Sequence, residues 1–213
     1  MSNNKQVSYR TTNSYSTLNS LMESTQNVWI ACHGLGYLSK YFINYFKGLD
    51  AASNYIIAPQ APSKYYQNNE FRHVGASWLT KEDTRQEIEN VLNYLDAVFA
   101  NENIPKNKRL ILLGYSQGVS IITRWLASRK LHCDKLILHS GGIPKELETD
   151  DFEFLRGQTQ TYLVYGNEDQ YLNEERVAYE CARANELFGS ELHILPFEGK
   201  HEVNTKILTS LVQ

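Results

Sequence analysis

Ser116 stands in Gly114-Tyr115-Ser116-Gln117-Gly118, directly after the apolar run Arg-Leu-Ile-Leu-Leu-Gly and directly before Val-Ser-Ile-Ile-Thr-Arg-Trp-Leu-Ala-Ser-Arg, which reads as a helix. A serine held between a strand and a helix, with glycines on either side, occupies a tight and strained turn. Its hydroxyl is presented outward, and the N-terminus of the following helix faces any negative charge that develops there. A serine hydroxyl is a weak nucleophile and needs an adjacent base, itself oriented by a carboxylate. In open α/β sheets, ligands gather outside the carboxyl ends of the strands, so the partners are sought just after apolar runs. Asp169 follows Thr161–Gly166 in Gly-Asn-Glu-Asp, and His201 follows Leu192–Leu195 in Phe-Glu-Gly-Lys-His. Serine, acid, histidine is one of the chain orders in which such a triad occurs.

Other residues compete for these roles. Glu168 is the second choice of acid, one residue away from Asp169. His139 also ends an apolar run, but it precedes the acid and breaks the order. His73 and His132 fall in polar connections and are expected at the surface, His193 lies inside a strand, and His33 belongs to a different element. A tetrahedral intermediate needs two fixed N–H donors. One is expected from Gln117, the residue after the nucleophile, and the other from Leu35 in the loop Cys32-His33-Gly34-Leu35-Gly36. Gly34-Leu35-Gly36 is a poor start to a dinucleotide-binding fingerprint, because the third glycine would fall at Ser39. Cys32 at a strand end reads as core rather than as a thiol nucleophile.

The elements that must hold these residues are legible as an alternation. Val28–His33, Tyr55–Ala58, Arg109–Gly114, Lys135–His139, Thr161–Gly166 and Leu192–Leu195 read as buried strands. Between them, Lys81–Phe99 carries Ile88, Val91, Leu92, Leu95, Val98 and Phe99 on one helical face, and Thr80 with Asp83 has capping-box spacing. Residues 117–129 form a mostly apolar helix. Residues 173–188 repeat the amphipathic pattern through Val177, Cys181, Ala184 and Phe188, with Gly189 as the stop. Val203, Ile207 and Leu211 offer the buried stripe of a last short helix, and Val7–Leu18 reads as one or two edge strands separated by Thr-Asn-Ser. Strand–helix alternation predicts a single α/β domain over residues 1–213 with a mainly parallel sheet. Pro59–Ser77 is the least regular stretch; its Tyr65, Tyr66 and Phe71 suit it to wall a pocket.

Composition excludes several classes. The 213 residues are 42% hydrophobic and 21% charged with a formal net charge of −3, which supports one core and carries no nucleic-acid signature. No run of about 18 apolar residues exists to span a membrane. The N-terminal Met-Ser-Asn-Asn-Lys-Gln is too polar for a secretory signal, and Cys32, Cys133 and Cys181 are odd in number and widely spaced. A cytoplasmic setting is therefore expected.

Taken together, His33-Gly34-Leu35-Gly36, Gly114-Tyr115-Ser116-Gln117-Gly118, Asp169 and His201 resemble the phospholipase/carboxylesterase family, which contains bacterial carboxylesterases and acyl-protein thioesterases. Ala58-Pro59-Gln60-Ala61-Pro62 and Ala76-Ser77-Trp78 also resemble family segments, and the likeness covers roughly residues 28–205. The resemblance implies the α/β-hydrolase fold, a cofactor-free acyl-enzyme mechanism, and Leu35 and Gln117 as oxyanion donors; no cap domain is expected from the segment lengths, and no metal from the lack of zinc-type His/Cys/carboxylate spacing. The resemblance also places Trp78 near the substrate pocket. The sequence departs from the family where Tyr37-Leu38-Ser39-Lys40 replaces a polar, glycine-containing turn, and where Lys200 stands in place of a common glycine. These departures favour a small-molecule ester as substrate over an acylated protein; a thioesterase acting on acyl-protein or acyl-coenzyme A is the alternative reading. A non-catalytic binding protein on the same fold would be expected to have lost a member of the triad. The acidic interval from His139 to Thr161 is too short for an apolar lid, so short to medium acyl chains are expected.

Overall fold

Asn27–Cys32 (β2) is buried at every position, as a strand must be when both faces of its sheet are covered. A computed structural model, which describes residue 3 and residues 5–212, places this strand within a seven-stranded sheet. The edge strand Tyr15–Leu18 (β1) runs antiparallel to Asn54–Pro59 (β3), which lies parallel to β2. A short helix at Ser39–Phe42 (α1), continued by a 3₁₀ turn at Ile43–Phe46, connects β2 to β3. Arg109–Tyr115 (β6), Lys135–His139 (β7), Gln160–Gly166 (β8) and Leu192–Phe197 (β9) extend the sheet in parallel from β2. A separate hairpin pairs Ser63–Tyr66 (β4) with Val74–Ser77 (β5). The longer helices are Thr84–Glu102 (α2), Gln117–Arg129 (α3) and Glu174–Phe188 (α4), and Thr205–Ser210 (α5) closes the fold.

Two apolar layers sandwich the sheet, and alternation along each strand decides which layer a residue enters. Val28, Ile30, Leu110, Leu112, Leu136 and Leu138 join Val91, Leu92 and Leu95 of α2 and Ile121, Ile122 and Trp125 of α3 on one side. Trp29, Ala31, Ile111, Leu113 and Ile137 join Phe42 of α1, Phe46 of the 3₁₀ turn that follows it and Leu208 of α5 on the other. A fully buried aliphatic or aromatic side chain in such a layer stabilises by about 1.5–3 kcal/mol. None of the helices described is long and apolar enough to cross a membrane.

Four expectations change. Only Tyr15–Leu18 of the N-terminal stretch is a strand, while Val7 and Tyr9 stand exposed. The register explains this: Tyr15 pairs with Pro59, where β3 ends, so the residues before Tyr15 have no strand to join. Thr80 and Asp83 do not form a capping box, and α2 begins at Thr84. Thr80 Oγ1 instead accepts the N–H of Glu82, and Asp83 takes a left-handed conformation with φ of 47°. Pro59–Ser77 is not irregular, because it contains the β4–β5 hairpin, closed by Gln67 N–H donating to His73 O at 2.8 Å. At the C-terminus Leu208, not Ile207, is the fully buried position between Val203 and Leu211, and Asn204 caps the helix by accepting the Ile207 N–H.

Candidate active site

Between the last residue of β6 and the first of α3, Ser116 adopts φ of 53° and ψ of −118°. An L-residue in this region carries strain of about 1–3 kcal/mol, which the surroundings must hold. Ser116 N–H donates to His139 O at 2.8 Å, and Ser116 O accepts the Val119 N–H at 3.0 Å. The flanking glycines permit the turn by close approach. A Cβ on Gly114 would lie 2.5 Å from Gly118 O, and one on Gly118 would collide with the carbonyl of Cys32. The helix therefore sits directly on the strand ends, with its N-terminus at the serine.

From Ser116 a hydrogen-bonded chain runs inward. Ser116 Oγ lies 2.9 Å from His201 Nε2, and His201 Nδ1 lies 2.7 Å from Asp169 Oδ2. The Asp169 side chain is 0% exposed and that of His201 17% exposed. Asp169 Oδ1 accepts the Tyr171 N–H at 2.8 Å, so both carboxylate oxygens are engaged. With the imidazole proton on Nδ1 facing the carboxylate, Nε2 is free to accept the serine hydroxyl. Tyr115 packs its ring 5.3 Å from that of His201 and donates its hydroxyl to His201 O at 3.0 Å. Burial raises the Tyr115 pKa and keeps that donor protonated. Glu168, the alternative acid, is exposed, and its backbone N–H is what the fold uses, donating to Gly199 O at 2.9 Å.

The expected oxyanion donors come from elements next to Ser116: Leu35 lies in the loop after β2, which runs beside β6, and Gln117 is the first residue of α3. Among the described residues the Leu35 N–H donates to no other backbone group, and Gln117 opens α3, where the N–H groups of the first turn have no acceptor within the helix. Leu35 is 55% exposed, and Tyr171, 67% exposed, packs edge-on against His201 with ring centres 4.8 Å apart. Tyr65 comes to the Gly36 loop, its hydroxyl 3.7 Å from where a Gly36 Cβ would stand, whereas Tyr66 pairs with Phe71 on the hairpin. Trp78 is fully buried and donates its indole N–H to His33 O at 2.7 Å. It therefore supports the loop from beneath and presents no surface to a substrate.

The two remaining buried histidines anchor backbone. His33 Nε2 accepts the Ala61 N–H at 3.1 Å and its Nδ1 donates to Gly34 O at 2.8 Å. His139, at the end of β7, accepts the Asn204 N–H on Nε2 at 3.0 Å and donates from Nδ1 to Ser140 Oγ. His139 thus ties the nucleophile turn, through its carbonyl, to the segment following His201. Its position at a strand end was visible in the sequence, but its partners 65 residues away were not. Desolvation, aided by the nearby His201, lowers the His139 pKa to about 3. In the unfolded chain it protonates near 6.5. Its contribution to stability is therefore complete above pH 6.5 and is lost as the pH falls towards 3. Urea unfolding between pH 6.5 and 4 is expected to show a flatter loss of stability in His139→Gln, by up to about 1.4 kcal/mol per pH unit. Equal slopes in the two proteins would contradict the buried neutral state.

A family model described as phospholipase/carboxylesterase matches residues 13–211. No curated protein matches the sequence. Among solved structures, acyl-protein thioesterase 2 of Zea mays is similar with a TM-score of 0.70 at 14% identity, covering 94% of this chain and 100% of that one. Esterase PE8 gives 0.70 at 17% identity, covering 94% and 97%. A phospholipase/carboxylesterase from Dyadobacter fermentans gives 0.67 at 19% identity, covering 96% of each chain. At such identities the structural likeness speaks for the fold, and the family match speaks for descent. With that match running from the first strand to the last helix, the chain belongs to the phospholipase/carboxylesterase family of hydrolases and has its α/β-hydrolase fold.

Proposed function

We propose that this protein is a serine esterase that cleaves short- to medium-chain carboxylic esters through an acyl-enzyme on Ser116. The observation that carries this reading is the continuous Ser116–His201–Asp169 chain, 2.9 Å and 2.7 Å long in its two links, ending on a fully buried carboxylate. In the first half-reaction Ser116 Oγ attacks the ester carbonyl while its proton passes to His201 Nε2. Asp169 holds the imidazole tautomer and stabilises the imidazolium. The N–H groups of Leu35 and Gln117 receive the oxyanion. Collapse of the tetrahedral intermediate breaks the carbonyl–alkoxy bond, and His201 returns the proton to the leaving alcohol. Water then repeats the sequence on the acyl-serine and releases the acid.

The chain-length reading rests on where the candidate lid segment packs. The segment between β7 and β8 folds as two 3₁₀ turns, Thr149–Asp151 and Glu153–Leu155. It packs Phe152 on Phe188 of α4 with ring centres 4.9 Å apart, rather than over Ser116. Each buried methylene contributes about 0.8 kcal/mol, roughly fourfold in specificity, for as long as the pocket wall continues. Nitrophenyl esters from acetate to palmitate, with matched thioesters, are expected to give an optimum at short to medium acyl length and faster turnover of the oxygen esters. No rate jump is expected when the substrate is emulsified. A steady rise to palmitate or activation at the interface would contradict the chain-length reading. Preference for the thioesters would favour the activity for which the maize relative is named.

A further inference from the structure

Both expected oxyanion donors are attached, by residues 39 positions or more away, to a single short strand. Gly36, next to Leu35, donates its N–H to Ala76 O at 2.9 Å. Two residues on, Trp78 donates its N–H to Gln117 Oε1 at 2.9 Å. In an extended strand, residues i and i+2 direct their backbone groups to the same edge, about 7 Å apart. One edge of β5 and its continuation therefore meets both donor loops, while the opposite edge pairs with β4. The attachment is doubled on each side. The Gly36 carbonyl accepts the Gln67 side-chain N–H at 2.7 Å, and Gln117 Nε2 donates to Leu79 O at 2.8 Å. The Trp78 indole N–H, on His33 O, holds the base of the Leu35 loop from below. Ala76 and Trp78 are fully buried, and the Trp78 indole bond to His33 O is buried with them, whereas the Gln67 bond to Gly36 O lies at the surface.

We propose that the β5 edge is a brace that sets the separation of the two oxyanion donors, and that the Gln117 side chain and the Trp78 indole N–H are positioning residues for oxyanion stabilisation. This rests on the serine-esterase reading. An oxyanion donor displaced from its place is worth little, because its catalytic value lies in being fixed where charge develops. Gln117 then has two separate roles: its backbone N–H faces the oxyanion, and its side chain fixes where that N–H stands. Neither role places the side chain on the substrate, so ground-state binding is left nearly unchanged.

The test uses the full chain with Gln117→Met, which keeps side-chain volume and the backbone donor, and Trp78→Phe, which keeps an aromatic ring without the indole N–H. For each, kcat and KM are measured on a nitrophenyl ester, together with Ki for a trifluoromethyl ketone of the same acyl length and for the product carboxylate. The ketone forms a tetrahedral adduct with an oxyanion, whereas the carboxylate reports ground-state binding. Each variant is expected to lose about 10- to 100-fold in kcat, with KM and the carboxylate Ki within about threefold, and with the ketone Ki rising in parallel with the loss in kcat/KM. Partial unfolding lowers the amount of active enzyme but leaves Ki unchanged. A fall in kcat with an unaltered ketone Ki, or no fall at all, would therefore overturn the brace. A wild-type protein without esterase turnover or ketone inhibition would instead overturn the serine-esterase reading, and the brace with it.

Discussion

Ser116→Ala is expected to lose kcat by about 10⁶-fold while remaining folded, leaving on the order of 10³-fold catalysis over water from the oxyanion donors and binding alone. The size of the effect follows from the chemistry: without Oγ no acyl-enzyme can form, and the residual path needs water to attack directly. The fold should tolerate the change, because the hydroxyl's partner is His201 Nε2 and the turn is held by backbone bonds to His139 and Val119. Circular dichroism and urea unfolding, run beside the ester assay, separate the two contributions. Hydrolysis within tenfold of wild type would end the nucleophile assignment.

The second large effect is expected at the acid. Asp169→Asn should cost about 10⁴ in kcat, because an amide at Oδ2 favours the imidazole tautomer with its proton on Nε2, where the serine hydroxyl must be accepted. Glu168→Gln should stay within a few-fold of wild type. Its side chain is exposed, and the bond that shapes the loop comes from its backbone N–H to Gly199 O. The comparison is sharp because the two substitutions are chemically alike and adjacent. Steady-state kinetics on one ester measures both, and the reverse ranking would move the acid to Glu168.

The choice between these neighbours shows where a sequence stops being informative. Strand ends and chain order bring both carboxylates to the right corner of the sheet, and Lys135–His139 and residues 117–129 form the elements their patterns suggest. Which carboxylate turns inward depends on how the turn after β8 is pinned to the next crossover. Asn167 and Glu168 donate their N–H groups to Phe197 O and Gly199 O, and this directs Asp169 towards His201. Those bonds span about thirty residues and leave no local pattern. The hairpin at residues 63–77 was hidden for a related reason. Its strands are only four residues each: Ser63–Tyr66 is exposed throughout, and Val74–Ser77, buried at Gly75, Ala76 and Ser77, carries no apolar alternation, its far edge being met by the Gly36 N–H at Ala76 O. The resemblance places Trp78 near the substrate pocket, whereas the structure buries it fully and gives its indole N–H to His33 O beneath the loop. The nucleophile turn was legible because its requirements are local: two glycines for close approach and a serine between an apolar strand and a helix.

The central claim is that Ser116 forms a covalent intermediate with His201 as its base. The most direct measurement is intact and peptide mass spectrometry of the protein after treatment with a fluorophosphonate, with Ser116→Ala and His201→Gln alongside. The account predicts one adduct per chain on the peptide containing Gly114–Gly118, none in Ser116→Ala, and labelling slowed by at least about 10³-fold in His201→Gln. An unlabelled wild-type protein, or an adduct on any other residue, would contradict it.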